Sequence, residues 1–448
     1  MPTHRQLHIN VHIHENGHHE ASWRLPESDP LGAANFDYYL HLSQTAARGT
    51  LDSVFFADIP ALFGNPRYRP IGLLEPLTLI AALAARTENI GFIGTASSSY
   101  KEPYDLARQF ASIDHISGGR VAWNIVTTGS DEVAQNFGGD AVALHAERYE
   151  RADEFVEVIT KLWDSWEDGA LVGNQDAGVF ADTEKIHRLD HAGKHFRVAG
   201  PLNVPRSPQG RPVLVQAGSS LDGRIFAARW AEAVFTAQRT IPEGQEFYKD
   251  IKARAAAYGR SADQILILPG LVPILGSTEA EAKANEEALI ERMIPDYGLR
   301  QLSHFYGRDL TGIDLDSPLP EVPVEDEIEG HKSRTTLITN LARGEDLTVR
   351  GLLVKLAGGR GHRTFTGTPE QLADDIQRWF EQRASDGFNL QPGRLPKDLE
   401  IFVDEVVPIL RKRGLFRHEY EGGTLREHYG LDRPTSSFTA QAAALTAA

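Results

Sequence analysis

An alternation of short apolar runs with amphipathic stretches, repeated eight times, constrains this 448-residue chain more than any other feature of it. The runs that read as buried strands are Leu7–Ile13, Ser53–Ala57, Ile90–Thr95, Val121–Val126, Pro212–Ala217, Ala233–Thr236, Ile265–Leu275 and Gly387–Leu390. Helical spacing of apolar residues covers Phe36–Arg48, Pro76–Arg86, Pro103–His115, Glu147–Trp166, Asp222–Trp230, Gln245–Tyr258 and Pro369–Arg383, and Asp398–Lys412 closes the series. Strands this apolar need cover on both faces, so eight strand–helix units predict an α/β fold of the (β/α)8 TIM-barrel class. A single domain over residues 1–433 is expected, followed by a low-complexity tail at 434–448. Two segments exceed an ordinary connection, Glu167–Arg211 and Glu291–Arg363. Such insertions serve as lids or partner surfaces; both are expected at the C-terminal face, the second capping the barrel mouth.

The predicted strand ends carry hydrogen-bonding groups. Asp58 follows the second strand, Thr95 and Ser97 close the third, Asn124 and Thr127 mark the fourth, and Ser219 and Ser220 follow the fifth. Each alone has a bland reading, Asp58 as a turn or helix cap and Ser219 as an N-cap. Four successive polar strand ends in a barrel point instead to a bound ligand. In QAGSSLDGR, Gly218 permits close backbone approach and the two serines stand where a helix begins, an arrangement suited to phosphate. His145 and Tyr149, four residues apart, share one face near the start of their helix.

Other patterns fall short. His12 and His14 at the end of the first strand imitate the metal pair of amidohydrolase barrels, but the later strand ends, NIVTT, QAGSS, FTAQ and NLQ, supply no histidine, so no metal site is expected. The two histidines instead suit a substrate cavity, and Trp23, Arg24 and Tyr100 suit either that cavity or a core or surface position. GGRGHR at Gly358–Arg363 lacks the ending of a P-loop, and no G-x-G-x-x-G follows the first strand, so no nicotinamide domain is legible. A net charge of −16 disfavours nucleic acid as a partner. The chain has no cysteine, which excludes thiolate chemistry. Neither a signal peptide nor a membrane-spanning run is evident, and a cytoplasmic location is expected.

The segment RVAWNIVTT, preceded by FASIDHISGG and followed by NFG, resembles the flavin-dependent monooxygenases of the nitrilotriacetate and dibenzothiophene-sulfone type, within the bacterial-luciferase-like superfamily. GHHEASWRLP, SVFFAD, GTASSSYKEPYDLARQFAS, HAERYERADEF, VLVQAGSS and FTGTPEQLADDIQRWF extend the likeness in order, from about Leu7 to Leu390. The resemblance implies a two-component enzyme that takes reduced FMN from a separate NAD(P)H:flavin reductase and oxygenates a small organic substrate with O2 through a C4a-hydroperoxyflavin. It places Asp58, Thr95, His145, Tyr149, Ser219 and Ser220 against the flavin; Asn124 is added from its strand position. His145, with His12 or His14, is a candidate for handling protons. A homodimer or homotetramer is also implied, to which the apolar stretch LTLIAALAAR lends a faint signal. The alternatives are a deazaflavin-dependent hydride transferase and a flavin-binding barrel without chemistry.

Overall fold

Alternation along the strands decides which side chains fill the barrel and which meet the helices. The computed structural model describes residues 5–62, 65–72, 74–320 and 332–440. Eight parallel strands close on themselves: β1 (His8–Ile13), β2 (Ser53–Phe56), β3 (Gly91–Ser97), β4 (Val121–Val126), β5 (Val213–Ala217), β6 (Ala233–Thr236), β7 (Leu266–Leu275) and β8 (Gly387–Leu390). Closure is made by β8, which pairs His8 with Gly387 on one side and Gly270 with Asn389 on the other. A further strand, Arg363–Gly367, runs beside the outer half of the long β7.

Outward residues such as Ile9, Val11, Phe92, Trp123, Ile125 and Leu214 pack under the surrounding helices in one large apolar core. Trp123 belongs to that side: its indole donates to Ala96 O at 3.0 Å and its ring meets Phe110, Phe155 and Trp163. Inward residues Phe55, Ile93, Ala122, Val213, Val215 and Leu268 form a second cluster, closed by Leu425, Tyr429 and Leu431 from the chain's end. A polar layer lies above that plug. Asn10 accepts from Ser53 Oγ at 2.8 Å and from Tyr429 OH at 2.7 Å, and donates to Asn389 at 3.0 Å. Buried polar atoms satisfied in this way fix one strand register.

The helices are α1 (Phe36–Arg48), α2 (Pro76–Ala84), α3 (Pro103–Ser117), α4 (Asp131–Asn136), α5 (His145–Asp164), α6 (Leu221–Trp230) and α7 (Ile241–Ala257). They are followed by α8 (Glu279–Ile290), α9 (Pro295–Tyr306), α10 (Lys332–Gly344), α11 (Val349–Gly359) and α12 (Pro369–Glu381). The apolar character of α2 is largely consumed within the chain, since Leu77, Leu79, Ile80 and Leu83 are buried.

The two insertions divide between the faces of the barrel. Residues 167–211 run from the end of α5 to the start of β5, and an α-to-β connection returns to the N-terminal strand ends. There Gln209 bonds Asp114 and Val121 O, both at 2.7 Å. This insertion carries a small hairpin, Leu171–Asn174 with Val179–Ala181. Residues 291–363 lie over the C-terminal face, where Arg360 meets His14 just past β1 and Arg24 reaches Arg292 O. They are not a loop but α9, α10 and α11 around their own cluster of Leu299, Leu302, Ile338, Leu341, Leu352 and Leu353. Within this insertion, most of the proline-rich, acidic stretch SPLPEVPVEDEIEG (317–330) lies outside the described residues. Of the tail, residues 434–440 lie along α5 and its continuation: Ser436 Oγ donates to Asp164 O at 3.0 Å and Phe438 stacks on His187 at 4.6 Å.

Candidate active site

The C-terminal mouth of the barrel has two chemically different ends. One is built where β4 and β5 give way to α5 and α6. Ser220 caps α6, its Oγ accepting from Gly223 N at 3.1 Å. Capping therefore falls to Ser220, and Ser219 precedes it, accepting from Arg224 Nε at 2.9 Å through its backbone oxygen. From α5, the Tyr149 hydroxyl bonds Thr127 and Ser220. A Cβ on Gly218 would lie 2.3 Å from Gln216 Nε2 and 3.3 Å from Tyr149 OH, so a side chain there would displace the Gln216 amide. His145 donates through Nδ1 to Asp222 Oδ2 at 2.9 Å, and its ring lies 4.9 Å from that of Tyr149. Arg148, one residue before Tyr149, donates to Thr128 O at 3.1 Å. Its Nε is buried without a partner. A helix N-terminus, two serines, a phenol and a guanidinium are the kinds of groups that bind phosphate. The sequence reading named the serines, Tyr149 and His145 but missed Arg148, whose signal was only its adjacency to Tyr149.

Between the two ends, Asn124 Nδ2 donates to Thr95 Oγ1 at 2.9 Å. Asn124 is inward and 3% exposed, and its Oδ1 has no partner. A buried amide oxygen left open inside a barrel is an acceptor for a bound group. Asp58 stands further out, half-buried past β2. Burial, with Glu75 nearby, pushes its carboxyl up to about 6, and it shares no hydrogen bond with Thr95 or Asn124 in the described contacts.

The other end is a histidine cluster. Parity along β1 turns His12 and His14 inward. His12 stacks on Phe55 at 4.8 Å, and Gln391 Nε2 meets its Nδ1 at 3.3 Å, which leaves the ring proton on Nε2. Burial, with His14 beside it, pushes His12 down to about 3, so it is a neutral donor at physiological pH. His14 sits between Glu15, Arg69 and Arg360. His18 is buried against His14 and His362, with ring centroids 5.7 and 5.9 Å away. His362 in turn stacks on Phe235 of β6 at 5.0 Å. Arg360 and His362, which the P-loop comparison had set aside, thus reach the mouth from the end of α11. Among the described residues, no group of three or more His, Cys, Asp or Glu side chains is placed to hold a metal ion. Trp23 bonds Tyr68 O at 3.2 Å and Arg24 reaches Arg292 O, both between the rim and the insertion. Tyr100 stacks on Phe137 at 5.1 Å.

Glu20 lies beneath the insertion, its backbone N–H bonded to Ala357 O at 3.1 Å. Burial pushes its carboxyl up to about 7, with Arg69 offsetting only part of the effect. A folded chain that holds this proton more tightly than the unfolded one is favoured below the ordinary carboxylate value, and that advantage is lost as pH rises to 7. Glu20→Gln is therefore expected to stabilise the protein by about 1–2 kcal/mol at pH 8 and to change little at pH 4. Urea midpoints at the two pH values check this; equal shifts would refute it.

Comparison with known proteins shows the family and the fold. The family model described as luciferase-like monooxygenase matches residues 14–386. The chain is 47% identical over 435 residues to N-acetyl-S-(2-succino)cysteine monooxygenase of Bacillus subtilis (strain 168), covering 97% of this chain and 98% of that one. It is 48% identical over 451 residues to nitrilotriacetate monooxygenase component A of Aminobacter aminovorans, covering 98% and 99%. The crystal structure of DmoA from Hyphomicrobium sulfonivorans superposes with a TM-score of 0.85 at 32% identity, over 97% of this chain and 95% of that one.

Proposed function

Since the chain belongs to the luciferase-like monooxygenase family, we propose that it is the oxygenase component of a two-component system that uses reduced FMN and O2 to oxygenate a small organic substrate. The observation that carries this reading is the pairing of a phosphate cradle at Tyr149, Ser219 and Ser220 with the open amide oxygen of Asn124 inside the same mouth. The cradle suits one phosphomonoester, and Asn124 suits an N–H of a flat, amide-bearing ring. These residues, with Thr95 fixing the Asn124 amide and His145 beside the cradle, would hold the flavin. Reduced flavin supplies the electrons with which O2 is activated. The chain's own residues bind and orient the reactants and exclude water through the inserted α9–α11 segment. His12 presents an Nε2–H toward the cavity as a neutral donor, and His145, fixed by Asp222, is the second candidate for moving a proton.

No dinucleotide fingerprint follows β1, so the reading includes a separate NAD(P)H:flavin reductase. It also includes a homodimer or homotetramer in the cytoplasm. The small exposed face of α2, at Thr78, Ala82 and Ala85, is compatible with close helix contact, and among the described residues no helix is long and apolar enough to cross a membrane.

Anaerobic titration tests the cofactor. Reduced FMN is expected to bind at least tenfold more tightly than oxidised FMN, FAD or a reduced deazaflavin. Tighter binding of FAD or of the deazaflavin would overturn the reading, the latter in favour of hydride transfer.

A further inference from the structure

Gly270 stands inside β7 without a conformational need for glycine, since it lies outside the left-handed region. Glycine in a strand interior weakens the strand and marks a place where another group comes close. That group is His362: a Cβ on Gly270 would lie 2.4 Å from its Nδ1 and 2.7 Å from Gln391 Oε1. The imidazole thus takes the interior position that the strand leaves without a side chain. It comes from outside the eight strands. Helix α11 ends at Gly359, Arg360 and Gly361 turn the chain with φ of 47° and 92°, and Arg363 then pairs with Leu271 of β7. The His362 N–H bonds Gly359 O at 2.7 Å, which fixes where the ring enters the barrel.

Inside, the ring lies flat on Phe235 of β6 at 5.0 Å and meets His18 edge-on at 5.9 Å. Phe235 in turn stands edge-on to His12 at 5.8 Å and to Phe55 at 5.7 Å. His12 and Phe55 are buried, whereas Phe235 and His362 are only half-buried. The barrel is plugged from below by Leu425, Tyr429 and Leu431, so the surface these two rings keep open faces the mouth. A core filler is enclosed on every side, as Phe55 is. A stacked pair with one open side lines a chamber.

We propose that His362 is a specificity-determining residue: with Phe235 it forms the β6–β7 wall of the substrate chamber, and its ring sets how large a molecule can stand beside the flavin. This rests on the flavin reading above. Selection at such a wall is by volume, since a molecule that is too large clashes with the ring. Removing the ring joins the space over Gly270 to the chamber, and larger molecules gain where small ones do not.

The test compares the full chain with H362G and G270A. Without flavin, 4-methylimidazole and the larger 4-phenylimidazole are expected to raise the melting temperature of H362G and not that of the unaltered chain, because a space left by a deleted ring takes up a molecule of its shape. The phenyl group finds room only if that space opens into the chamber. Turnover with reduced FMN and a reductase uses dimethyl sulfide and methyl phenyl sulfide as probes. Their sulfur takes one atom of O2 as the sulfoxide, and the other leaves as water with the two electrons and two protons of reduced FMN. The kcat/KM ratio of phenyl to dimethyl sulfide is expected to rise by about tenfold in H362G. In G270A, whose new methyl drives the ring toward the mouth, it should fall, and reduced FMN affinity should change little in either variant. A rise for 4-methylimidazole alone would enclose the space and make His362 a core filler, which overturns the proposal. No shift with either imidazole, or no gain for methyl phenyl sulfide over dimethyl sulfide in H362G, would overturn it too. Failure of reduced FMN to bind would defeat the flavin reading but leave the pair of melting shifts as an independent measure of the wall.

Discussion

Given NADH, FMN and air, the isolated chain will form no product above solution background, and a purified NAD(P)H:flavin reductase will raise the rate at least 100-fold. The expectation follows from what stands after β1. A dinucleotide domain needs a glycine-rich turn there, with a helix N-terminus aimed at a pyrophosphate. Here β1 runs instead into His14, Glu15 and Asn16, whose side chains are committed to Arg69, Arg360 and Asp29 O. The proposed cradle at α6 offers one helix N-terminus, and Gln216 and Tyr149 stand close to Gly218 beside it. The assay is product formation with and without reductase. Rapid oxidation of NADH by the isolated chain would refute it.

Ser220→Asp is expected to weaken reduced FMN binding at least 100-fold while leaving the fold intact. Aspartate is as good an N-cap as serine, so the bond to Gly223 N survives the change. What changes is charge: a carboxylate beside the proposed phosphate position repels it by about 3–4 kcal/mol at an effective dielectric near 20. Ser220→Ala separates the two effects. It removes the cap and one hydrogen bond, costing about 1 kcal/mol in stability and a tenfold loss of affinity at most. Flavin titration and thermal melting of both variants check the pair. Unchanged affinity in Ser220→Asp would remove Ser220 from the phosphate site.

The barrel was legible because buried parallel strands leave near-continuous apolar runs, and Ser53–Phe56 or Val121–Val126 admit few other readings. The cap of α6 was legible for a related reason: glycine followed by two serines between a strand and a helix is a local pattern. What escaped the sequence was assembled over long distances. The Asn10 layer joins side chains as far apart as Tyr429, and Arg360 meets His14 across most of the chain. Neither partner carries a local mark of the other. In the segment 291–363 no helices were assigned from sequence, although Leu299, Leu302 and Tyr306, and Leu352 and Leu353, carry helical spacing. Both insertions were expected at the mouth, yet residues 167–211 lead from α5 back to the start of β5, which keeps them at the N-terminal strand ends.

The closure of the barrel by β8 carries a cost in time. β1 pairs with β8 at His8 and Gly387, so one edge of the first strand waits for nearly the whole chain to be synthesised. At ~5–20 residues per second, that wait lasts about 20–80 s. Until then the His8–Ile13 edge presents unpaired N–H and C=O groups, the condition in which strands add to one another. Even closure does not finish the task, because the plug of Leu425, Tyr429 and Leu431 arrives later still. On the ribosome, this protein passes most of its synthesis as an open sheet with an unsealed floor, and its yield in a cell depends on how well that edge is shielded.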